Sequence, residues 1–154
     1  MNKLILLGAV MFCTLRIEAQ SIKKRDVPPA VITGFSALYP NASKVKWENE
    51  DGMYEGSFLI AKKETSLLFS RDGILVQTEN EIAIADLPSG VTEYVSKNYP
   101  SATIEEATKV TDIEGNVNYE IEAASFDILF SSTGQMLSQE KEDDEEDDEE
   151  DDKK

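Results

Sequence analysis

The sequence predicts an α+β protein in which two helices lie on a single face of one antiparallel sheet. Three observations lead to this fold class. One order of residues occurs twice in the middle of the chain, each copy starts with apolar residues at helical spacing, and each continues with short segments separated by glycine-containing turns. For a chain that reads helix, four strands, helix and four strands, a sheet covered by helices on one side is the simplest packed arrangement.

The two copies are offset by about 60 residues and define units 26–85 and 86–139, after a short lead, 20–25. Two copies indicate a tandem repeat that arose by duplication rather than a solenoid, because a solenoid needs three or more repeats. The matching segments are Asp26-Val27-Pro28 with Asp86-Leu87-Pro88, Tyr39-Pro40 with Tyr99-Pro100, and Leu68-Phe69 with Leu129-Phe130.

Each unit begins with a predicted helix. Val27, Val31 and Phe35 are spaced four residues apart, which places them on one helical face. Asp26 and Asp86 are expected to cap the two helices, because aspartate in this position accepts hydrogen bonds from the first turn. The tyrosine–proline pair of each unit is expected to end its helix, since the residue before a proline disfavours helical geometry.

Four predicted strands follow each helix. Asp51-Gly52 and Asp72-Gly73 are the turn signals of the first unit. In the second unit, the turn at Glu114-Gly115-Asn116 is ambiguous by one residue, and a slip of one would exchange the two faces, so no facing pairs are predicted there. The predicted strands are 44–50, 53–61, 65–69, 74–84, 102–113, 116–123, 125–131 and 135–139.

The Asp51-Gly52 turn also predicts which residues of the first hairpin share a face, because side chains alternate across a strand. Trp47 should face Gly56, which leaves room for the indole. The face expected to pack under the helix contains Val45, Trp47, Tyr54, Phe58 and Ile60. The face expected to meet solvent contains Lys44, Lys46, Glu48, Met53, Glu55, Ser57 and Leu59.

The solvent face of this hairpin is the candidate surface for binding a protein partner. Glu48 should lie directly opposite Glu55, and facing like charges are destabilising and can raise a pKa. Lys46, diagonal to Glu55, is expected to relieve the repulsion in solvent, and a bound cation or a basic residue of a partner is the alternative. The candidate partner-binding residues are Lys46, Glu48, Met53, Glu55 and Leu59.

Residues 1–19 are expected to be a secretory signal peptide. Lys3 precedes the apolar segment Leu4–Leu15, which is too short to span a bilayer, and Ala19 offers a small residue at the cleavage site. Cys13 lies inside this segment, without the small residues that a lipoprotein signal places before its cysteine. The mature chain is therefore expected to be periplasmic or secreted, without a membrane anchor.

Residues 140–154 form an acidic tail of 12 acidic residues and three lysines, which should repel itself and be disordered. One interpretation is a solubilising appendage. The alternative is weak binding of Ca²⁺, because carboxylates suit hard cations. The candidate ligands are Asp143, Asp144, Glu145, Glu146, Asp147 and Asp148. No other cofactor is predicted.

The composition excludes several classes of function. A net charge of −16 argues against nucleic acid and anionic membranes as partners. The chain has no His and one Cys, which excludes His-ligated metal sites, His-dependent catalytic units and an intramolecular disulfide. Walker, dinucleotide-binding and nucleophile-elbow motifs are also missing from the sequence. The sequence therefore indicates a non-enzymatic protein that binds a protein partner or a cation.

The ordered set of residues resembles the PepSY-like, β-lactamase-inhibitor-protein-like family of periplasmic proteins. In the second unit, Ala107 stands where the first unit has Trp47. The resemblance covers about residues 26–138 and implies a tandem helix-plus-four-strand fold with a curved sheet, export, and a role in binding or inhibiting another protein. It implies no catalytic residues. It rests on Val27-Pro28, Val31, Phe35, Tyr39-Pro40, Ala42, Val45-Lys46-Trp47, Gly52-Met53-Tyr54-Glu55, Phe58, Phe69 and Asp72-Gly73, with a second set at Leu87-Pro88, Tyr99-Pro100, Tyr119-Glu120, Phe130 and Gly134.

Overall fold

The computed structural model describes residues 20–141, which form nine β-strands, two α-helices and two short 3-10 turns. The helices are α1 Pro29–Leu38 and α2 Ser89–Asn98, and the turns Lys24–Asp26 and Ile84–Asp86 precede them. Within this range, no helix is long and apolar enough to cross a membrane. The strands are β1 Gln20–Ile22, β2 Lys46–Glu50, β3 Met53–Ile60, β4 Lys63–Phe69, β5 Leu75–Glu81, β6 Ile104–Asp112, β7 Val117–Ala123, β8 Phe126–Ser131 and β9 Met136–Lys141.

The nine strands belong to one sheet in the order of the sequence, and each neighbouring pair is antiparallel. The predicted α+β class with a single antiparallel sheet is confirmed. The two halves of the chain join through β5 and β6, where Thr78 pairs with Thr111 and Glu79 pairs with Val110.

The register of the first hairpin agrees with the prediction from its turn. Trp47 pairs with Gly56, and Glu48 pairs with Glu55. Gly52 has a φ of +85°, and its N–H donates to Oδ1 of Asn49 at 3.2 Å. A short turn of positive φ suits the right-handed twist of the two strands, so the local sequence was sufficient to define the pairing.

The ambiguous turn of the second unit is resolved by Asp112. Its carboxylate accepts hydrogen bonds from the backbone N–H of Glu114 at 2.8 Å and of Asn116 at 2.9 Å. Thr111 therefore pairs with Val117 in the β6–β7 hairpin.

The predicted aspartate caps are wrong. Asp26 and Asp86 end the two 3-10 turns, and the helices start later, after Pro28 and Pro88, with no side-chain cap. The physical reason is that a residue before proline is held in extended geometry, so the helix cannot include it. The predicted ends are correct, since α1 and α2 stop just before the tyrosine–proline pairs.

Each helix contributes to its own apolar cluster. The ring of Phe35 on α1 lies edge-on to Trp47 at 5.1 Å and to Phe58 at 5.4 Å between centroids. Trp47 is only 3% exposed, which confirms its predicted core position. Ile60 was also expected in this core but is 44% exposed, because β3 ends at Ile60. The second cluster joins α2 to the later strands through Val91, Val95, Ala107, Ile121, Ile128 and Phe130.

Both ends of the described range contain strand that the sequence did not predict. Gln20–Ile22, expected to be an irregular lead, forms β1 and pairs with β2. Glu140 and Lys141, expected to begin the disordered tail, lie in β9 and pair with β8. Three other predicted features lie outside the described residues: the signal peptide with Ala19, Cys13, and the tail ligands Asp143 to Asp148.

Candidate functional site

One side of the sheet carries glutamates on five strands. Glu48, Glu55 and Glu106 each stand next to a buried core residue in their strand. Because successive side chains of a strand project to opposite sides, these carboxyl groups point away from the apolar clusters. We name this side the acidic face. Its glutamates on these strands are Glu48, Glu50, Glu55, Glu79, Glu81, Glu106, Glu120 and Glu122.

The middle of the acidic face is sheltered, although the strand residues of the two apolar clusters project to the other side of the sheet. Ser66, Leu68 and Val110 project to the acidic face, yet they are only 7%, 8% and 9% exposed. Side chains on a flat, uncovered sheet would be more accessible. Their burial shows that neighbouring side chains shield one another along a strip of this face, and we name the strip lined by Ser66, Leu68 and Val110 the trough.

Three carboxyl groups meet at the β2–β3 end of the trough. One oxygen each of Glu48, Glu50 and Glu55 lies within 4.8 Å of the others. Burial raises the pKa of the Glu55 carboxyl to about 7, and the charges of Glu50 and Glu48 act in the same direction. A hydrogen bond with Ser66 opposes this shift.

The carboxyl groups of Glu50 and Glu55 influence each other's ionisation. Burial raises the pKa of Glu50, and its hydrogen bond with Glu55 opposes that rise. The same contact and the charge of Glu50 add to the rise in the pKa of Glu55.

A second group of carboxylates lines a cavity of about 150 Å³ near the junction of the two halves. Burial raises the pKa of Glu79, and the charge of Glu55 adds to this effect, while a 2.6 Å hydrogen bond donated by Gln77 opposes it. Burial and the charges of Glu81 and Glu64 raise the pKa of Glu106. The lining side chains of this cavity include Glu79, Glu106, Thr108, Glu120 and Glu122.

The structure places the five sequence-predicted binding residues on the β2–β3 part of the acidic face. Lys46 and Leu59 are exposed, whereas Glu48, Met53 and Glu55 are partly buried. No ion pair joins Lys46 to Glu55 in the described part of the chain, and relief of the Glu55 charge by Lys46 stays a prediction. Glu50 and Ser66 are the groups hydrogen-bonded to Glu55.

Sequence reasoning missed the part of the site contributed by β5, β6 and β7. A signal was present, since Gln77, Glu79 and Glu81 alternate in β5, and Glu120 and Glu122 alternate in β7. Alternation shows that such residues share a face within one strand. It does not show which remote strand lies beside them, so the approach of Glu79 to Glu55 could not be predicted.

The chemistry available on this face is the binding of positive charge. Carboxylates gathered in a sheltered site accept hydrogen bonds from ammonium and guanidinium groups and can coordinate hard cations. The unfavourable burial and mutual repulsion of these carboxyl groups would be relieved by a cation placed among them.

Comparisons with known proteins agree with this architecture. The family described as "Putative beta-lactamase-inhibitor-like, PepSY-like" matches the chain over residues 15–77 and 57–138. No significantly similar sequence is found among curated proteins.

Several solved structures have a similar fold. A "putative periplasmic" protein from Bacteroides eggerthii is 20% identical with a TM-score of 0.68, over 75% of this chain and 88% of its own. A DUF2874 family protein from Bacteroides ovatus is 22% identical with a TM-score of 0.65, over 75% and 89%. A BLIP-like protein from Bacteroides fragilis is 22% identical with a TM-score of 0.59, over 75% and 88%. At these identities the similarity concerns the fold.

Proposed function

Because this chain belongs to the PepSY-like, β-lactamase-inhibitor-like family, we propose that it is an exported, non-catalytic module that binds another protein through its acidic face. The observation that carries this proposal is the trough. Leu68 and Val110 lie in this sheltered strip and project to the side of the sheet opposite the two apolar clusters. A surface with an apolar centre and a polar rim is a common form of protein-binding site.

The strand register supports the proposal that both helices cover the same side of the sheet. Leu67 of the α1 cluster pairs with Thr78, and Thr78 pairs with Thr111. Ala107 of the α2 cluster lies four residues from Thr111 on β6, an even separation that keeps both side chains on one side. In this arrangement each of the two units consists of a helix and its strands, and the acidic face continues from one unit to the other.

Export and absence of catalysis have separate support. The similar Bacteroides eggerthii protein is named as periplasmic, and the first 19 residues have the pattern of a signal peptide. The chain has no His, and Cys13 lies in the segment expected to be removed. Inhibition of an enzyme is one form that partner binding could take, as the name of the Bacteroides fragilis neighbour suggests.

Position-specific crosslinking in the periplasm tests the binding face. A photoreactive phenylalanine analogue would replace either Leu59, which is 66% exposed on the acidic face, or Leu38, which is 50% exposed at the end of α1. We expect a protein adduct from position 59 and none from position 38. Adducts from position 38 alone, or in equal yield from both, would contradict the proposal. Circular dichroism establishes that both variants fold.

Cation binding is the second candidate function. The approach of the Glu48, Glu50 and Glu55 oxygens to within 4.8 Å favours it, in addition to the acidic tail. Calorimetry with calcium chloride compares the wild-type chain, a Glu48→Gln/Glu50→Gln variant, and a variant with amides at Asp143 to Asp148. Loss of the heat of calcium binding in Glu48→Gln/Glu50→Gln would assign binding to the sheet. Its loss in the variant with amides at Asp143 to Asp148 would assign binding to the tail. Equal heats in all three would reject both sites.

A further inference from the structure

We infer that the partner of the acidic face is a protein segment rich in arginine and lysine, which inserts a cationic side chain between Glu79 and Glu106. This inference rests on the proposed function and names the chemistry of its partner. Charge complementarity carries it together with shape, since the sheltered part of the trough combines an apolar floor with carboxyl groups around it.

The charge on this face is one-sided. Among the residues described on β2 and β3, Lys46 is the cation on this side, and it is exposed at the start of β2. Lys109 on β6 projects to the opposite side, since it is two residues from the buried Ala107. Lys109 is the one cation on the described strands β5 to β7, which line the cavity. A cationic side chain placed beside Glu79 and Glu106 would therefore complement the local charge.

Arginine suits this site better than lysine. Its planar guanidinium has five N–H donors, binds carboxylates in a bidentate manner and is less strongly hydrated than an ammonium group. The cavity of about 150 Å³ is large enough for one such group and too small for a folded element. The aliphatic parts of the partner's arginine and lysine side chains would lie over Leu68 and Val110, while the charged ends of these side chains reach the glutamates.

The test is a titration of the ¹⁵N-labelled full chain with a nonapeptide of alternating arginine and glycine, followed by amide shifts. A serine–glycine peptide and a lysine–glycine peptide of equal length are the comparison ligands. We expect amides of β3 to β7 to shift with the arginine peptide, less with the lysine peptide, and not with the serine peptide.

Matched variants separate the site from bulk charge. Glu79→Gln/Glu106→Gln removes two charges from the cavity, while Asp72→Asn/Glu93→Gln removes two from an exposed turn and from α2. We expect the first pair to weaken arginine-peptide binding about tenfold and the second pair less than about twofold. A further variant with amides in place of the acidic residues after position 141 removes binding to the tail.

Three results would overturn the inference: equal weakening by both pairs, shifts confined to the tail, or calcium chloride alone displacing the peptide and producing the same shifts. The crosslinking experiment tests the proposed function independently of the peptide titration. Crosslinks from position 59 without arginine-peptide binding would reject only the basic partner. Crosslinks from position 38 alone would reject the acidic face as the binding surface even if the peptide binds.

Discussion

The two sides of the sheet are built from the same strands and have opposite physical roles. Trp47 and Phe69 on one side are buried in an apolar cluster with α1. Glu48 and Leu68 are their immediate neighbours in sequence and project to the acidic face. The covered side supplies the free energy of folding by burying apolar surface. The acidic face gathers like charges in a sheltered trough, which opposes folding and leaves those charges available to a partner.

The largest expected effect comes from the covered side. Phe69→Ala removes a fully buried ring that contacts Phe35 at 6.4 Å between centroids, and we expect it to lower the free energy of unfolding by about 3–5 kcal/mol. Leu59→Ala on the acidic face should change it by less than about 0.5 kcal/mol. Urea denaturation measures both. A similar loss in the two variants would show that the covered side has no special role in stability.

Crowding around Gly56 gives the next effect. A Cβ added there would lie 3.0 Å from two ring atoms of Trp47 and 3.1 Å from Phe35, so we expect Gly56→Ala to destabilise by about 1–3 kcal/mol. The smaller ring in Trp47→Phe should relieve this contact, making the double variant less destabilised than the sum of the two single variants. Additive losses in urea denaturation would show that Gly56 is not required for the indole.

On the acidic face, removing a charge should stabilise the protein. The folded pKa of Glu55 is about 7 against its ordinary value of 4.5, so the unfolded chain ionises first and stability falls as the pH rises through this window. Glu55→Gln should therefore raise the free energy of unfolding at pH 8 on the order of 3 kcal/mol, at about 1.4 kcal/mol per pKa unit, and change it little at pH 4.

Glu93→Gln on the exposed surface of α2 is the control for this pH dependence. It should leave the difference in thermal stability between pH 4 and pH 8 as in the wild-type protein. If Glu55→Gln also leaves that difference unchanged, the Glu55 carboxyl is not buried beside charged neighbours in solution.

The smallest effect is that of salt. Sodium chloride at about 0.5 M screens exposed like charges, so it should raise the midpoint of thermal unfolding by about 1–3 °C. The increase should be smaller in Glu79→Gln/Glu106→Gln than in Asp72→Asn/Glu93→Gln, although both variants lose the same net charge. Equal increases would assign the repulsion to the chain as a whole.

Local sequence signals were enough to predict the local parts of this fold. The Asp51-Gly52 turn defined the β2–β3 register, and with it the burial of Trp47 and the pairing of Glu48 with Glu55. Such signals are reliable because a two-residue turn restricts the backbone strongly and leaves little choice of pairing. The ends of the helices before proline were predictable for the same reason.

Contacts between remote segments depend on the packing of the whole chain and could not be predicted from local signals. Pairing of β5 with β6 brings Glu79 beside the second half of the chain, and β1 extends the sheet at the other edge. Burial on the acidic face then raises the pKa of Glu55 to about 7. The alternation of residues along a strand specifies which side of the sheet each side chain faces, but it does not specify which strand lies beside it. The neighbours follow from the packing of the whole chain, and the properties of the acidic face depend on them.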